Sequence, residues 1–446
     1  MPSNLKNRLK RIRELKKDAA ADLNAAAADP TPAVNQTAVA GPAGVSLFFA
    51  AKTGLYPDSE WINAGYLVLK RKVKTSLPFD VPQKFPQAMK ILIRDFLKYG
   101  VVPDPADLVF FDLETTGLSG GAGTLAFICS FGRFRPDCLV TDQYLLLDYP
   151  GEGDFLEAVK AELLRSGNSG APAMAVSYNG KTFDSQILKN RFLMNAIACP
   201  DYFHADLLHP SRRLWKHILP DCSQATIETA ILGLDRSGDI PGALAPDIWF
   251  DFLKTGVTKN LTGVCDHNIR DITGLASILL LLANITSEPI KTLDYNKYDL
   301  EALALLWRDS IIFRGAVYGE AEKETSVMLM DEASRRLAPR ALYVHGLDLL
   351  KSARNRDRGA SLLEKLASVG ADAPADLKAS ALCALAKNAE WSLRDLKNAL
   401  VYTDTALARD GLKESLKNEL EKRRERLVKK MGVGSREWGV GSGDGN

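Results

Sequence analysis

LVFFDLETTGLSGGAGT, residues 108–124, opens on four apolar residues and closes in glycines. Leu108, Val109, Phe110 and Phe111 have the pattern of a buried strand. Side chains alternate along a strand, so Asp112 and Glu114 leave the same face at the strand's end. Thr115, Thr116 and Gly117 stop the strand, and Gly120, Gly121 and Gly123 make a flexible turn into the next apolar run. Two carboxylates held side by side on rigid backbone repel unless a cation lies between them, and all-oxygen ligation favours Mg²⁺ or Mn²⁺. Alone, such a pair is an ordinary feature of strand ends. A metal site requires further carboxylates that reach the same place.

On the C-terminal side, 125–131 and 139–147 read as two more strands, and the short turn GRFRPDC between them favours antiparallel pairing. A helix is expected over 155–164, a strand over 173–178, a helix from Phe183, a short strand over 202–208, and helical segments from there to about residue 285. A three-stranded meander followed by alternating helix and strand predicts an α/β domain, a mixed sheet with helices on its faces, over 107–286. From 297 to 431 helix follows helix with no strand signal. Ala360 and Ala367, like Ala399 and Ala406, are seven apart, late in two helix–turn–helix units spanning 341–369 and 379–408. Small residues at that spacing let two helices approach closely, as in tetratricopeptide repeats, although both units lack the large aromatic such repeats carry early.

On the N-terminal side, 1–44 reads as a basic helix (3–18, stripe Leu5, Leu9, Ile12, Leu15) and an Ala/Pro/Thr-rich flexible linker. Residues 45–106 read as a lead-in that packs on the next domain, with an amphipathic helix in PQAMKILIRDFLKYG and no assignable chemistry. The Gly-rich tail 432–446 is expected to be disordered.

The 446 residues suggest two or three domains, and 46% hydrophobic with 25% charged residues is the composition of a soluble globular protein. The net charge of +2 gives no global basic field, so any nucleic-acid binding rests on local patches. Six cysteines without a C-x-x-C pair suggest neither a zinc site nor a disulfide framework and fit a reducing cytoplasm. The apolar run 278–285 is too short to span a bilayer, and the N-terminus lacks the apolar core of a secretory signal.

Two further acids stand where they can complete the site. Asp184, in SYNGKTFD, falls in the first turn of a helix at the carboxyl end of its strand, the edge where α/β sheets place ligands. A helix-start Asp is also favoured by the helix dipole alone. Asp271, in DHNIRD, shares a helix face with His267 four residues earlier. Asn179 and Lys181 can contact phosphates, although an Asn-Gly turn has a purely structural use. Arg212 and Arg213 beside Trp215 interleave basic residues with an aromatic, a pattern that holds phosphates and stacks a base; equally, Trp215 can be core with the charges reaching past it to water.

DLETTG, NGKTFD and HNIRD, in that order, resemble the three exonuclease motifs of the DEDD nucleases, which have an RNase H-like fold. LSGGAGT, DLLHPSRRLW, DIPG and His267-Asn268 are similar to the bacterial YprB-type RNase H-like family, whose members often carry C-terminal tetratricopeptide-like helices. The resemblance covers about 107–285 strongly and the C-terminal helices loosely. It implies that Asp112, Glu114, Asp184 and Asp271 hold two divalent ions, Mg²⁺ or Mn²⁺, for an in-line phosphoryl transfer. His267 would orient or activate the attacking water. The histidine subclass keeps four residues between its His and its last Asp, and the tyrosine subclass three; here His267 stands at the tyrosine spacing and Asp266 at the usual histidine position. Asp266 is therefore the alternative for that role.

The expectation is a cytoplasmic, metal-dependent nuclease, a 3′→5′ exonuclease on single-stranded ends of DNA or RNA. An RNase H-like mixed sheet would be followed by an all-α tetratricopeptide-like domain that binds a protein partner, with no membrane involved. The rivals are a non-catalytic nucleic-acid-binding scaffold acting through its helical repeats and a structure-selective endonuclease.

Overall fold

The computed structural model describes residues 60–93, 102–117, 123–165, 174–291, 298–314, 318–368 and 373–437. The basic helix and linker expected over 1–44, and most of the glycine turn after Gly117, lie outside the described residues. The chain divides into two compact units, Met1–Glu288 and Pro289–Asn446.

The first unit is built on a seven-stranded sheet in the order β1-β2-β5-β4-β3-β6-β7. The strands are β1 (Trp61–Gly65), β2 (Val68–Thr75), β3 (Leu108–Thr115), β4 (Ala126–Arg135), β5 (Cys138–Leu146), β6 (Met174–Ser177) and β7 (Phe203–Asp206). β3, β4 and β5 form the antiparallel meander, while β6 and β7 add in parallel beyond β3. Parallel neighbours need a crossover, and α1 (Asp184–Met194) supplies it between β6 and β7. The sheet is therefore mixed, as the alternation of elements predicts.

The lead-in is part of this sheet: β2 pairs antiparallel with β5 over its whole length, and β1 with β2. A strand rich in lysine, VLKRKVKT, carries no clean apolar alternation, which is why the sequence alone did not identify it.

Helix α2 (Lys259–Ser287) crosses one face of the sheet. Leu261, Val264, Cys265, Ile269, Ile272, Leu275, Ala276 and Leu279 are buried at helical spacing. Gly132 of β4 makes the crossing close, because a Cβ there would sit 2.6 Å from Ile272 Cγ2. By length and composition α2 could cross a membrane, yet 72% of its most apolar window is buried inside the protein, so its apolar surface is used as core. The other face is covered by α3 (Glu152–Leu164), whose Phe155, Leu156, Val159 and Leu163 are buried. Fully burying such side chains stabilises by about 1.5–3 kcal/mol each.

The second unit is helical in all its described elements, from Leu300–Arg314 to Glu414–Glu437. That last helix runs beyond Gly432, where the tail was expected to lose order. A close helix approach lies between Pro339–Leu350 and Arg356–Ser368. There a Cβ on Gly359 would meet the Gly346 carbonyl at 2.8 Å, and one on Gly346 the Gly359 carbonyl at 3.1 Å. These glycines, not Ala360 and Ala367, let the two backbones meet; Ala399 and Ala406 are fully buried.

Candidate metal centre

β3 presents Asp112 and Glu114 on the face that α2 crosses. The register places Asp112 opposite Ser130 of β4, Ser130 opposite Gln143 of β5, and Gln143 opposite Arg71 of β2. One in-register row of polar side chains therefore crosses four strands and ends at Asp112.

The row is hydrogen-bonded throughout. Arg71 Nε donates to Gln143 Oε1 at 2.7 Å. Gln143 Nε2 donates to the Cys265 carbonyl at 2.9 Å and to Asn268 Oδ1 at 3.0 Å, and Ser130 Oγ also donates to Asn268 Oδ1. Asn268 Nδ2 then donates to Asp112 Oδ2 at 2.8 Å. Asn268 stands in the buried stripe of α2, where an unpaired amide would be costly. Its carbonyl is held by the sheet, so its NH₂ has a fixed aim at the Asp112 carboxylate.

Asp184 opens α1 and is buried. The turn before it comes close: a Cβ on Gly180 would collide with Ser177 Oγ and sit 2.9 Å from Asp184 Oδ2. Asp206, at the end of β7, accepts from the backbone amides of Asn179 (2.8 Å), Lys181 (3.2 Å) and Leu208 (3.0 Å), so it fixes the turn. Beneath α1, His204 bridges Ser177 Oγ at 2.7 Å and Ser185 Oγ at 3.0 Å. Burial lowers that imidazole to about 4, so it is a neutral support.

α2 carries Asp271 and His267. His267 Nε2 lies 3.3 Å from Asp271 Oδ2, and Nδ1 lies 2.9 Å from Asp239 Oδ2. A Cβ on Gly242 would stand 3.2 Å from His267 Nε2, so the DIPG turn packs directly against the ring. Arg236 donates to Asp271 Oδ1 at 2.6 Å, to Glu228 Oε2 at 2.6 Å and to Asp239 Oδ2 at 2.9 Å. Room for the Glu228 carboxylate exists because residue 274 of α2 is glycine; any Cβ there would overlap Glu228 Oε1. Burial opposes charge on Asp239, but Arg236 and His267 hold it below the ordinary range.

The four sequence-predicted acids thus meet at one end of the sheet. Burial, then the charges of Asp271 and Asp184, push the carboxyls of Asp112 and Glu114 well above their usual values. Asp184 is pushed up to about 7, by burial first and Asp206 second. Ligand atoms of Glu114, His267 and Asp271 lie within 4.8 Å of one another, a spacing that a metal ion can bridge. The donors of the four acids are carboxylate oxygens, which fit Mg²⁺ or Mn²⁺.

The remaining expectations separate. Trp215 is fully buried, so no base can stack on it; of its two readings, core packing is the one the structure adopts. Arg212 and Arg213, within one turn of Trp215 on the same short helix Leu208–Trp215, are exposed. Asn179 has φ +64° and its Oδ1 accepts from Thr182 Oγ1 at 2.9 Å; its side chain shapes the turn. Lys181 lines a cavity of about 240 Å³ with Ser185, Lys189 and His204. Asp266 pairs with Arg71 at 3.0 Å on the other side of α2's polar row and is not in the acidic cluster. Arg71, Ser130, Gln143, Glu228, Arg236 and Asp239 were missed by sequence reasoning. Only a polar Asn268 within an apolar stripe was a local signal of the network.

Residues 109–283 match the model of a family described as RNase_H_2, RNase_H superfamily. Over 177 residues the chain is 37% identical to a Bacillus subtilis (strain 168) protein named uncharacterized protein YprB; the match covers 39% of this chain and 41% of that relative, so the chain spans well under half of its length. The mixed sheet with its flanking helices is an RNase H-like domain, followed by a helical region. That superfamily suggests a nuclease, a nucleic-acid substrate and divalent metal ions.

Proposed function

We propose that this domain is a metal-dependent nuclease of the DEDD type, acting 3′→5′ on single-stranded ends of DNA or RNA. The observation that carries the reading is the convergence of Asp112, Glu114, Asp184 and Asp271, in which burial and the neighbouring acids push the carboxyls of Asp112, Glu114 and Asp184 above their usual range. A fold retains such a cost where a cation offsets it. Asp112, Glu114 and Asp271, with Asp184, would hold two Mg²⁺ or Mn²⁺ ions. Bound there, such ions polarise the phosphoryl group and stabilise the attacking and leaving oxygens.

The chain's own residues do the rest. Asn268 donates to one oxygen of Asp112 and leaves the other free for ligation. Asp239 Oδ2 lies 2.9 Å from His267 Nδ1 and holds the ring in place, and His267 would orient or activate the attacking water. Arg212 and Arg213, being exposed, and the Lys181 side chain would supply phosphate contacts. The helices after residue 297 serve as a tetratricopeptide-like module for a protein partner.

One observation favours the non-catalytic rival: Arg236 already neutralises Asp271, as an arginine would in a site that never holds metal. The discriminating experiment incubates the full chain with Mg²⁺ or Mn²⁺ and end-labelled DNA and RNA. Asp112→Asn and Asp271→Asn should each cut the rate by orders of magnitude and weaken Mn²⁺ binding. Near-wild-type hydrolysis by both variants would refute the site, and metal-independent binding without cleavage would favour the scaffold.

A further inference from the structure

The far side of the sheet carries a second charged feature. Arg71, Gln143, Ser130 and Asp112 face α2; their strand neighbours Lys72, Asp142 and the residues two apart from them face the other way. On that opposite face a trough of about 330 Å³ is lined by five cations, Lys72, Lys74, Arg133, Arg135 and Arg165, against one acid, Asp142.

The cations divide by how they are neutralised. Arg133 is buried and fixed, with Nη1 donating to Glu162 Oε2 at 2.7 Å and Nη2 to the Glu162 carbonyl at 2.8 Å. Arg165 shares Glu162 at 3.0 Å and Asp142 at 3.4 Å. Lys70, just outside the trough, lies 3.2 Å from Asp142 Oδ1. The two acids are thereby taken up. Lys72, 61% exposed, reaches Asp142 only at 3.8 Å. Lys74 and Arg135 are exposed and make no ion pair among the described residues.

Register sets their spacing. Lys72 lies opposite Asp142 and Lys74 opposite Val140 on one side of β5, while Arg135 lies opposite Cys138 on the other. Two cationic rails thus run on β2 and β4, about 10 Å apart, with the low side chains Cys138 and Val140 as floor. Along β2 the lysines repeat at about 6.8 Å, a spacing similar to that of successive phosphates on a nucleic-acid strand. The lining has no aromatic residue on which a base could stack. The trough is thus suited to phosphodiester backbone of any sequence.

We infer that this trough is an exosite for the phosphodiester backbone of a single nucleic-acid strand, contacted by Lys72, Lys74 and Arg135. Its centre lies about 10 Å along the strands and two strands across from Asp112 itself, on the opposite face. A strand seated there is outside the acidic cluster, so the exosite acts on long substrates and is indifferent to short ones. The inference rests on the reading that the domain handles nucleic acid, but not on the reading that it cleaves it.

The test is binding of a fluorescent 30-mer single strand to the full chain in EDTA, across a salt series. Each phosphate contact to a single strand contributes about 0.7 to the slope of log affinity against log salt. The triple variant Lys72→Ala/Lys74→Ala/Arg135→Ala should reduce the slope by about 2 and weaken binding by about 100-fold near 0.1 M salt. Lys72→Arg/Lys74→Arg should keep both, and melting curves of all variants should match wild type. Cleavage of a trinucleotide, where cleavage occurs, should be unchanged in the triple variant. An unchanged slope in a folded triple variant overturns the proposal. So does equal displacement by inorganic phosphate and by unlabelled 30-mer at equal phosphate concentration, which would mark a small-anion site. If no variant of the chain cleaves anything but the slope still falls, the nuclease reading fails and the exosite stands.

Discussion

Replacing Asp184 with asparagine should stabilise the metal-free protein above neutral pH and weaken it relative to wild type once metal is added. Asp184 is 5% exposed, and its carboxyl is pushed from an ordinary 3.8 up to about 7 by burial and by Asp206. A folded acid with a raised pKa binds its proton more tightly than the unfolded chain does. Its stabilising contribution is complete below the unfolded value and is lost as pH rises through the window from 3.8 to about 7. At about 1.4 kcal/mol per pKa unit, the loss across that window is on the order of 4 kcal/mol. Asparagine never ionises and escapes it. In EDTA the Asp184→Asn protein should therefore melt level with wild type near the acid end of the window. At about pH 8 it should lead by up to roughly 10 °C in the transition of the first unit, taking about 2–4 °C per kcal/mol for a domain of this size. Mn²⁺ should reverse the order once it exceeds about 1,000 times its Kd, where it stabilises the wild-type native state by more than about 4.1 kcal/mol, because the variant lacks one ligand. The assay is calorimetry of the full chain at both pH values, with EDTA and with Mn²⁺. A wild-type melting temperature that stays flat across the window, or a metal-free variant that melts below wild type at the alkaline end, would refute the reasoning.

Three further outcomes are expected. His267→Ala should lower turnover by about 10²–10⁴-fold with substrate affinity nearly unchanged, whereas Asp266→Ala, which loses its pair with Arg71 outside the acidic cluster, should stay close to wild type; the reverse result in a pH–rate study moves the role to Asp266. Gln143→Ala removes the acceptor of Arg71 Nε and one donor to Asn268, and urea unfolding should show a loss of about 2–3 kcal/mol; a variant as stable as wild type shows that the row does not hold the site. A chain ending at Glu288 should keep metal-dependent cleavage of a short oligonucleotide, and a folded truncation with no activity would tie the helical unit to catalysis.

The acids were legible because their placement is local. Alternation along β3 puts Asp112 and Glu114 on one face, and a separation of four puts His267 and Asp271 on one side of a helix, whatever surrounds them. The mixed sheet was legible for the same reason, since strands with apolar runs and short turns announce themselves. Pairing across the sheet is not local. Only the register of β2 on β5 and β5 on β4 reveals that Arg71 and Gln143 support Asp112 through Asn268, and VLKRKVKT has no pattern that marks it as a strand. Trp215 shows the same limit from the other side, because an aromatic among arginines is compatible with stacking or with burial until its neighbours are known. Arg236 and Asp239 lie about thirty residues before the acid and the histidine they contact, and no spacing rule relates them. Sequence by itself therefore determined which residues carry the charge and which way each points from its own strand or helix. Tertiary structure alone decided which of them share a volume, because burial and charge–charge distance are properties of elements brought together from far along the chain.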